Sequence, residues 1–172
     1  MPTRIKFGEG ITGKLGEILL SGGYKKAFIV TGRFLVTSPV FNAVKDSLDK
    51  TGIDYEVYSE ICPDPTVEQV DEAAEALRKS GADVVIAVGG GSNIDTAKAI
   101  CMLQTNEGSV REYLFGGHKT VTNPIFPLIC LPTTAGTGSE VTGYSVISDV
   151  QNNIKLSVAH DYIIPGFVLI DP

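Results

Sequence analysis

The chain has 172 residues, of which 43% are hydrophobic and 20% are charged. A chain of this length and composition can bury its own core, which excludes a disordered protein and one that depends on disulfides or structural metal. The formal net charge of −6 argues against nucleic acid as a partner.

Two features of the sequence indicate its cellular location. The three cysteines are odd in number and widely spaced, which fits a reducing compartment better than a disulfide framework. The longest apolar runs are far shorter than the roughly 20 residues of a transmembrane helix, and the N-terminus has no hydrophobic signal region. We therefore expect a cytoplasmic protein without a membrane partner.

Strands and helices alternate along the first part of the chain. Ser38 and Thr66 have the sequence context of helix N-caps, and Gly52 and Gly81 that of helix ends. In chain order, the apolar periodicity predicts a strand over Arg4–Phe7, a helix over Ile11–Leu20, a strand over Lys26–Thr31, a helix from Pro39 to Gly52, a strand over Tyr55–Ile61, a helix from Thr66 to Gly81, a strand over Asp83–Val88 and a helix over 93–102. This alternation predicts a parallel sheet with helices on both faces.

The pattern changes after a further predicted strand, Leu128–Leu131. The segments Thr142–Ser148 and Lys155–His160 alternate and are separated by the polar residues 149–153, which is typical of a β-hairpin. Phe167–Ile170 is the last predicted strand. The predicted fold class is therefore α/β: one domain with a doubly wound, mostly parallel, Rossmann-like sheet and a β-hairpin near its C-terminal end.

The first candidate site is the glycine turn Gly89–Ser92, between a predicted strand and a predicted helix. Parallel sheets bind ligands outside the carboxyl ends of their strands, and a helix N-terminus favours negative charge. A turn that merely joins strand to helix is the alternative, but three consecutive glycines cost more backbone entropy than a turn requires. We therefore predict phosphate binding here, with Ser92 both capping the helix and bonding a phosphate oxygen. The turn is neither Gly-x-Gly-x-x-Gly nor a P-loop.

Two charged residues follow the turn on the predicted helix. Asp95 lies in its first turn, where the helix dipole favours a carboxylate, so a cap role and a ligand role are equally supported. Lys98 is expected on the solvated surface.

Two more loops follow predicted strands. Thr133–Ser139 offers hydroxyls and backbone N–H groups with little bulk, although such a loop can also bond only to itself. Because it lies at the same sheet edge as the glycine turn, one elongated ligand across both is favoured. At Thr31–Arg33, where dinucleotide folds carry an acid for the ribose, the chain has Gly32 and Arg33, and a plain turn is the alternative.

Other catalytic motifs are missing from the sequence. His118 and His160 are isolated and have no metal-ligand spacing, and no Gly-x-Ser-x-Gly is present. Cys130 lies in an apolar run and is expected in the core. We therefore predict no catalytic residue and no metal ligand within this chain.

Together these motifs identify a family. Gly-Gly-Gly-Ser-x-x-Asp-x-Ala-Lys at 89–98 and Pro-Thr-Thr-Ala-Gly-Thr-Gly-Ser-Glu-Val-Thr at 132–142 resemble the iron-containing (group III) alcohol dehydrogenase family. Pro63–Thr66 and Leu169–Pro172 match as well, so the resemblance covers essentially the whole chain. It implies that residues 1–172 are the dinucleotide-binding domain and that the family's C-terminal helical, metal-binding domain is absent from this sequence.

The resemblance also implies which residues bind NAD or NADP. They are Gly90, Gly91 and Ser92 at the pyrophosphate with Asp95 nearby, Asp64 near the adenosine half, Thr133, Thr134 and Thr137 toward the nicotinamide side, Thr142 and Tyr144 near the nicotinamide ribose, and Lys155 on ribose hydroxyls. Gly32 replaces an acid that is frequent in the family, which leaves room for a ribose phosphate beside Arg33. We therefore expect NADP(H) to be accepted and preferred.

The implied reaction is hydride transfer that interconverts an alcohol and an aldehyde or ketone, assisted by Fe²⁺ or Zn²⁺. The family's metal ligands, one Asp and three His, have no counterpart in this sequence, so we expect the isolated chain to be inactive. A small alcohol or aldehyde substrate and a homo-oligomer are also implied. The alternatives are a glycerol-dehydrogenase-like or dehydroquinate-synthase-like relative and a non-catalytic nucleotide-binding module.

Overall fold

A computed structural model of the chain describes residues 3–172. Its strands are β1 (Arg4–Phe7), β2 (Lys26–Gly32), β3 (Asp54–Ile61), β4 (Val84–Gly89), β5 (Leu128–Pro132), β6 (Tyr144–Asp149), β7 (Ile154–Ala159) and β8 (Phe167–Ile170). Its α-helices are α1 (Leu15–Ser21), α2 (Pro39–Thr51), α3 (Val67–Ser80) and α4 (Gly91–Thr105).

Six of the strands form one parallel sheet in the order β1-β8-β5-β4-β2-β3. The strands β6 and β7 form a separate antiparallel hairpin, paired from Tyr144 with Ala159 to Asp149 with Ile154. The predicted α/β fold, with its parallel sheet and hairpin near the C-terminal end, is confirmed.

The central strands are buried on both faces because their side chains alternate between two cores. Phe28 and Val85 point to the core that holds α3, α4 and the hairpin, whereas Ile29 and Ile86 point to the core that holds α1 and α2. Continuous apolar runs such as that of β4 are therefore what a strand in this position requires.

The predicted helix caps form as the sequence indicates. Ser38 Oγ accepts from the N–H of Phe41, and Thr66 forms a capping box with Gln69. Gly81 ends α3 with a left-handed φ of 66°, a conformation that costs glycine little.

Two helix boundaries differ from the prediction. The segment predicted as one helix over Ile11–Leu20 is a 3-10 turn, Ile11–Lys14, followed by α1. Helix α4 begins at Gly91 rather than at 93 and continues to Thr105, with Gly90 as its N-cap and no side-chain cap hydrogen bond. Ser92 is therefore not the cap, and that part of its prediction is wrong.

The hairpin packs on α4 beside the sheet. The N–H of Ser148 donates to the carbonyl of Pro65 at 2.8 Å, which links the hairpin to the loop after β3. Within residues 3–172, no helix combines the length and the apolar character needed to cross a bilayer.

Candidate functional site

The sheet has a topological switch point between β2 and β4. The chain leaves β2 toward β3 and leaves β4 toward β5, in opposite directions along the sheet. In such sheets the crevice at the carboxyl ends of the two strands is the usual ligand site. A cavity of about 490 Å³ opens there, and its walls include Gly32, Ile61, Gly90, Gly91 and Ser92. The structure thus brings Gly32 and the glycine turn to one site, as the sequence predicts.

The glycine turn is shaped by Asn93, which the sequence reasoning missed. Its side-chain Nδ2 donates to the carbonyl of Val88 at 3.0 Å, and the residue is almost fully buried. Gly89 has a φ of +144°, and a Cβ there would lie 1.8 Å from Asn93 Nδ2. Only glycine fits at this position. The sequence gives no specific signal for this role, because Asn93 is one of several polar residues in the first two turns of α4.

The threonine loop after β5 lies directly beside the glycine turn. The N–H of Thr133 donates to the carbonyl of Gly89 at 3.0 Å. A Cβ added to Gly90 would lie 3.1 Å from Thr134 Oγ1, and one added to Gly91 would lie 3.3 Å from Thr137 Cγ2. The three threonine side chains are exposed around the helix N-terminus.

This arrangement fits the pyrophosphate of a dinucleotide. The first N–H groups of α4 have no side-chain cap, and the helix dipole favours an anion at this end. Glycines leave space for a phosphate where any larger side chain would displace the neighbouring threonines. The combination of bare helix N-terminus, glycine surface and hydroxyl-bearing loop is the chemistry that recognises phosphate oxygens.

Asp95 and Lys98 are both buried, and neither lines the cavity. Asp95 Oδ2 accepts from the N–H of Val146 at 3.1 Å, and burial raises the pKa of its carboxyl. Lys98 has no exposed surface, so the expectation of a solvated lysine is wrong. Burial lowers the pKa of Lys98, an effect opposed by the Asp95 carboxylate. The sequence around Asp95 and Lys98 does not indicate that their polar partners lie 44 to 51 positions further along the chain.

The remaining predicted residues lie on the hairpin, in the segment just before it, and in the loop after β3. Thr142 and Tyr144 stand at the start of β6, and the Tyr144 side chain is exposed. Lys155, on β7, donates to Asp64 Oδ1 at 2.5 Å, so two residues predicted separately meet.

An ion pair that the sequence does not indicate lies at the wall of the cavity. The Arg33 guanidinium, on the cavity wall, contacts the carboxylate of Glu60 on β3. Gly32 lies opposite both Glu60 and Ile61 at an irregularity in the β2–β3 ladder, so a carboxylate from the adjacent strand stands near the position where dinucleotide folds place an acid. Among the residues that the structure describes, no cluster of three His, Cys, Asp or Glu could hold a metal ion.

Comparison with known proteins gives matches along the whole chain. The family described as iron-containing alcohol dehydrogenase matches residues 2–172. The chain is 40% identical to choline dehydrogenase of Bacillus subtilis, covering 100% of this chain and 43% of that protein. It is 34% identical to the NAD-dependent methanol dehydrogenase of Bacillus methanolicus, covering 100% and 45%. The chain therefore spans less than half the length of these curated relatives.

A solved structure agrees closely with the fold. It is the sulfoacetaldehyde reductase of Bifidobacterium kashiwanohense in complex with NAD⁺, with a TM-score of 0.92 and 34% sequence identity. The match covers 99% of this chain and 45% of that one.

Proposed function

The chain belongs to the iron-containing alcohol dehydrogenase family, and we propose that residues 1–172 are the part that binds a nicotinamide dinucleotide. The observation that carries the proposal is the uncapped, glycine-lined N-terminus of α4 at the switch point, between a cavity and the threonine loop. In the whole protein, a bound nicotinamide would supply the hydride donor or acceptor for the interconversion of an alcohol with an aldehyde or ketone.

The sheet order gives the proposed direction of the dinucleotide. The cavity lies on the β2 and β3 side of the glycine turn and holds the adenosine half. Backbone N–H groups at Gly91 and Ser92 bind the pyrophosphate. The nicotinamide half extends toward Thr137, in the loop after β5, and toward Thr142 and Tyr144, just before and at the start of β6.

The chain supplies binding and orientation, and the metal contributes separately. The family implies Fe²⁺ or Zn²⁺ in the whole protein, where such an ion would supply Lewis-acid chemistry at the substrate oxygen. None of the residues 3–172 forms a group that could hold it. The chain by itself is therefore proposed to bind the dinucleotide without oxidising alcohols. A small alcohol or aldehyde substrate, a homo-oligomer and a cytoplasmic location belong to the same proposal.

Calorimetric titration of the chain with NAD(H) and NADP(H) tests this function. We expect one molecule of dinucleotide per chain and competition by ADP. Gly166→Ala is the control variant, because a Cβ there meets nothing within 4 Å. Failure of wild type and control to bind either dinucleotide would contradict the proposal.

A further inference from the structure

Asp95 and Lys98, in one turn of α4, form hydrogen bonds with residues 142–146, just before and within β6. We call this set of contacts the tie. Lys98 Nζ donates to the carbonyl oxygens of Thr142 and Tyr144 at 2.7 and 2.9 Å. It has no exposed surface, and a lysine is almost never fully buried unless its charge is compensated. These two carbonyls, with the Asp95 carboxylate 4.0 Å away, provide that compensation.

Asp95 strengthens the tie from the same helical turn. Its Oδ2 accepts from the N–H of Val146, and its backbone carbonyl accepts from Ser145 Oγ at 2.7 Å. Together with Lys98, these contacts make four hydrogen bonds between the helix and a short stretch of β6. The position of this stretch relative to the glycine turn is therefore set by side chains buried in the interior.

The tie connects two parts of the proposed cofactor site. Helix α4 begins at the glycine turn beside the cavity, and one turn further along it Asp95 and Lys98 hold residues 142–146. A dinucleotide held at the turn by its pyrophosphate extends toward both the cavity and these residues. Residues 142–146 do not line the cavity, so a local displacement of these residues would change mainly the surroundings of the half of the ligand that lies outside the cavity.

We propose that Lys98 is a positioning residue that holds Thr142 and Tyr144 at the nicotinamide end of the cofactor, at a fixed distance from the glycine turn. This inference rests on the proposed function. It assigns Lys98 a role through the backbone of β6, with no direct contact between its ammonium and the cofactor. The residue should therefore matter for the nicotinamide half and not for the adenosine half.

Comparison of two ligands tests this role. ADP reports on the adenosine half alone, whereas the reduced dinucleotide reports on both halves. In Lys98→Met, which keeps an unbranched apolar chain in the buried position, we expect unchanged ADP affinity. The dinucleotide should bind roughly tenfold more weakly, because the residues at its nicotinamide half are no longer held in the binding geometry before the ligand arrives. Both affinities are measured by calorimetry, and the fluorescence of the bound nicotinamide should fall in parallel.

A control on the same helix separates positioning from general loss of stability. Gln104 Nε2 donates to the carbonyl of Ala74, far along α4 from the hairpin. Gln104→Met removes that bond and should leave the ratio of the two affinities unchanged. Equal weakening of ADP and dinucleotide in Lys98→Met, or no weakening of either, would overturn the proposal.

A second variant decides the question if Lys98→Met does not fold. Ser145→Ala removes one hydroxyl contact of the same tie and should weaken the dinucleotide several-fold relative to ADP. A ratio equal to that of wild type in this variant would count against the positioning role. Absence of all binding in wild type would instead contradict the proposed function.

Discussion

Lys155 Nζ donates to Asp64 Oδ1 at 2.5 Å, across 91 positions of the sequence. Both side chains are more than half exposed, and Asp64 adopts a left-handed φ of 58° in the loop after β3. An exposed ion pair contributes only about 0–1 kcal/mol to stability. The contact between Lys155 and Asp64 therefore contributes little to stability. Binding of one ligand by both side chains would explain why they lie together.

Lys155→Met should lower affinity for the dinucleotide by roughly tenfold, because a charged donor to the ribose hydroxyls is lost. The melting temperature should change little, since the pair is exposed. Calorimetry and thermal unfolding measure the two quantities. Lys79→Met, at an exposed position of α3, is the matched control and should change neither. Unchanged dinucleotide affinity in Lys155→Met would remove this lysine from the site.

Gly91→Val should abolish dinucleotide binding. A Cβ at this position would lie 3.3 Å from Thr137 Cγ2 and 3.4 Å from Ser139 Oγ, and the branched side chain adds bulk where phosphate must approach. Cofactor fluorescence measures the loss. Gly166→Ala, in open space, should bind like wild type. Wild-type affinity in Gly91→Val would place the phosphate elsewhere.

The preference for NADP(H) stays a prediction, and the structure adds a residue that opposes it. Gly32→Asp should lower the affinity for NADP(H) relative to NAD(H), since a carboxylate repels the ribose phosphate, and a Cβ there meets nothing nearer than 3.8 Å. Glu60→Gln should raise the affinity for NADP(H) relative to NAD(H), because the substitution frees the Arg33 guanidinium for the ribose phosphate. The ratio of the two dissociation constants measures both effects.

The ratio of the NADP(H) and NAD(H) dissociation constants also tests whether residues at the end of β2 determine which of the two cofactors binds more tightly. Strong preference of wild type for NAD(H) would contradict the predicted preference. Identical ratios in wild type, Gly32→Asp and Glu60→Gln would show that the ribose phosphate lies away from this end of the cavity.

The elements that the sequence predicts well depend on local signals. The caps at Ser38 and Thr66 and the left-handed glycine at Gly81 act within a few residues, so their sequence context suffices. The buried strand β4 follows from its apolar run. Helix α4 begins two residues before the predicted start, at Gly91, a residue whose low helix propensity gives no sign of a helix.

The contacts that the sequence does not indicate join residues far apart in the chain. Lys98 is satisfied by carbonyls 44 and 46 positions away, and Arg33 by a carboxylate 27 positions away. Backbone carbonyls have no sequence signature. The burial of Lys98 against two of them therefore could not be predicted from a residue pattern. Glycines and threonines in the sequence indicate the candidate site, whereas the hydrogen bonds that Lys98 and Asp95 make to residues 142–146 are evident only in the three-dimensional structure.

The ionisation of Asp149, at the end of β6, should make the free energy of unfolding depend on pH in the acid range. Hydrogen bonds from Asn152 and the ion pair with Arg111 hold the pKa of this carboxyl below its ordinary value. A lowered folded-state pKa contributes stability above the unfolded pKa, about 3.9, and that contribution disappears as the pH falls through the folded-state pKa. The contribution of Asp149 is therefore fully present at neutral pH.

Asp149→Asn should accordingly be less stable than wild type at neutral pH, and the difference should narrow below about pH 4. Urea unfolding across a pH series measures it. Asp46→Asn, at an exposed position of α2, is the control. A difference that stays constant down to the lowest pH would show that ionisation of Asp149 does not contribute.

The three cysteines should differ sharply in reactivity toward a thiol reagent. Cys62 is exposed on the wall of the proposed adenosine cavity, whereas burial raises the pKa of both Cys101 and Cys130. Since the thiolate is the reactive form, the native chain should show one fast thiol, and the denatured chain all three. Cys62→Ser should remove the fast phase, and saturating dinucleotide should slow it in wild type, because the ligand covers the cavity wall. An unchanged rate at a dinucleotide concentration that calorimetry shows to be saturating would place the adenosine half outside this cavity.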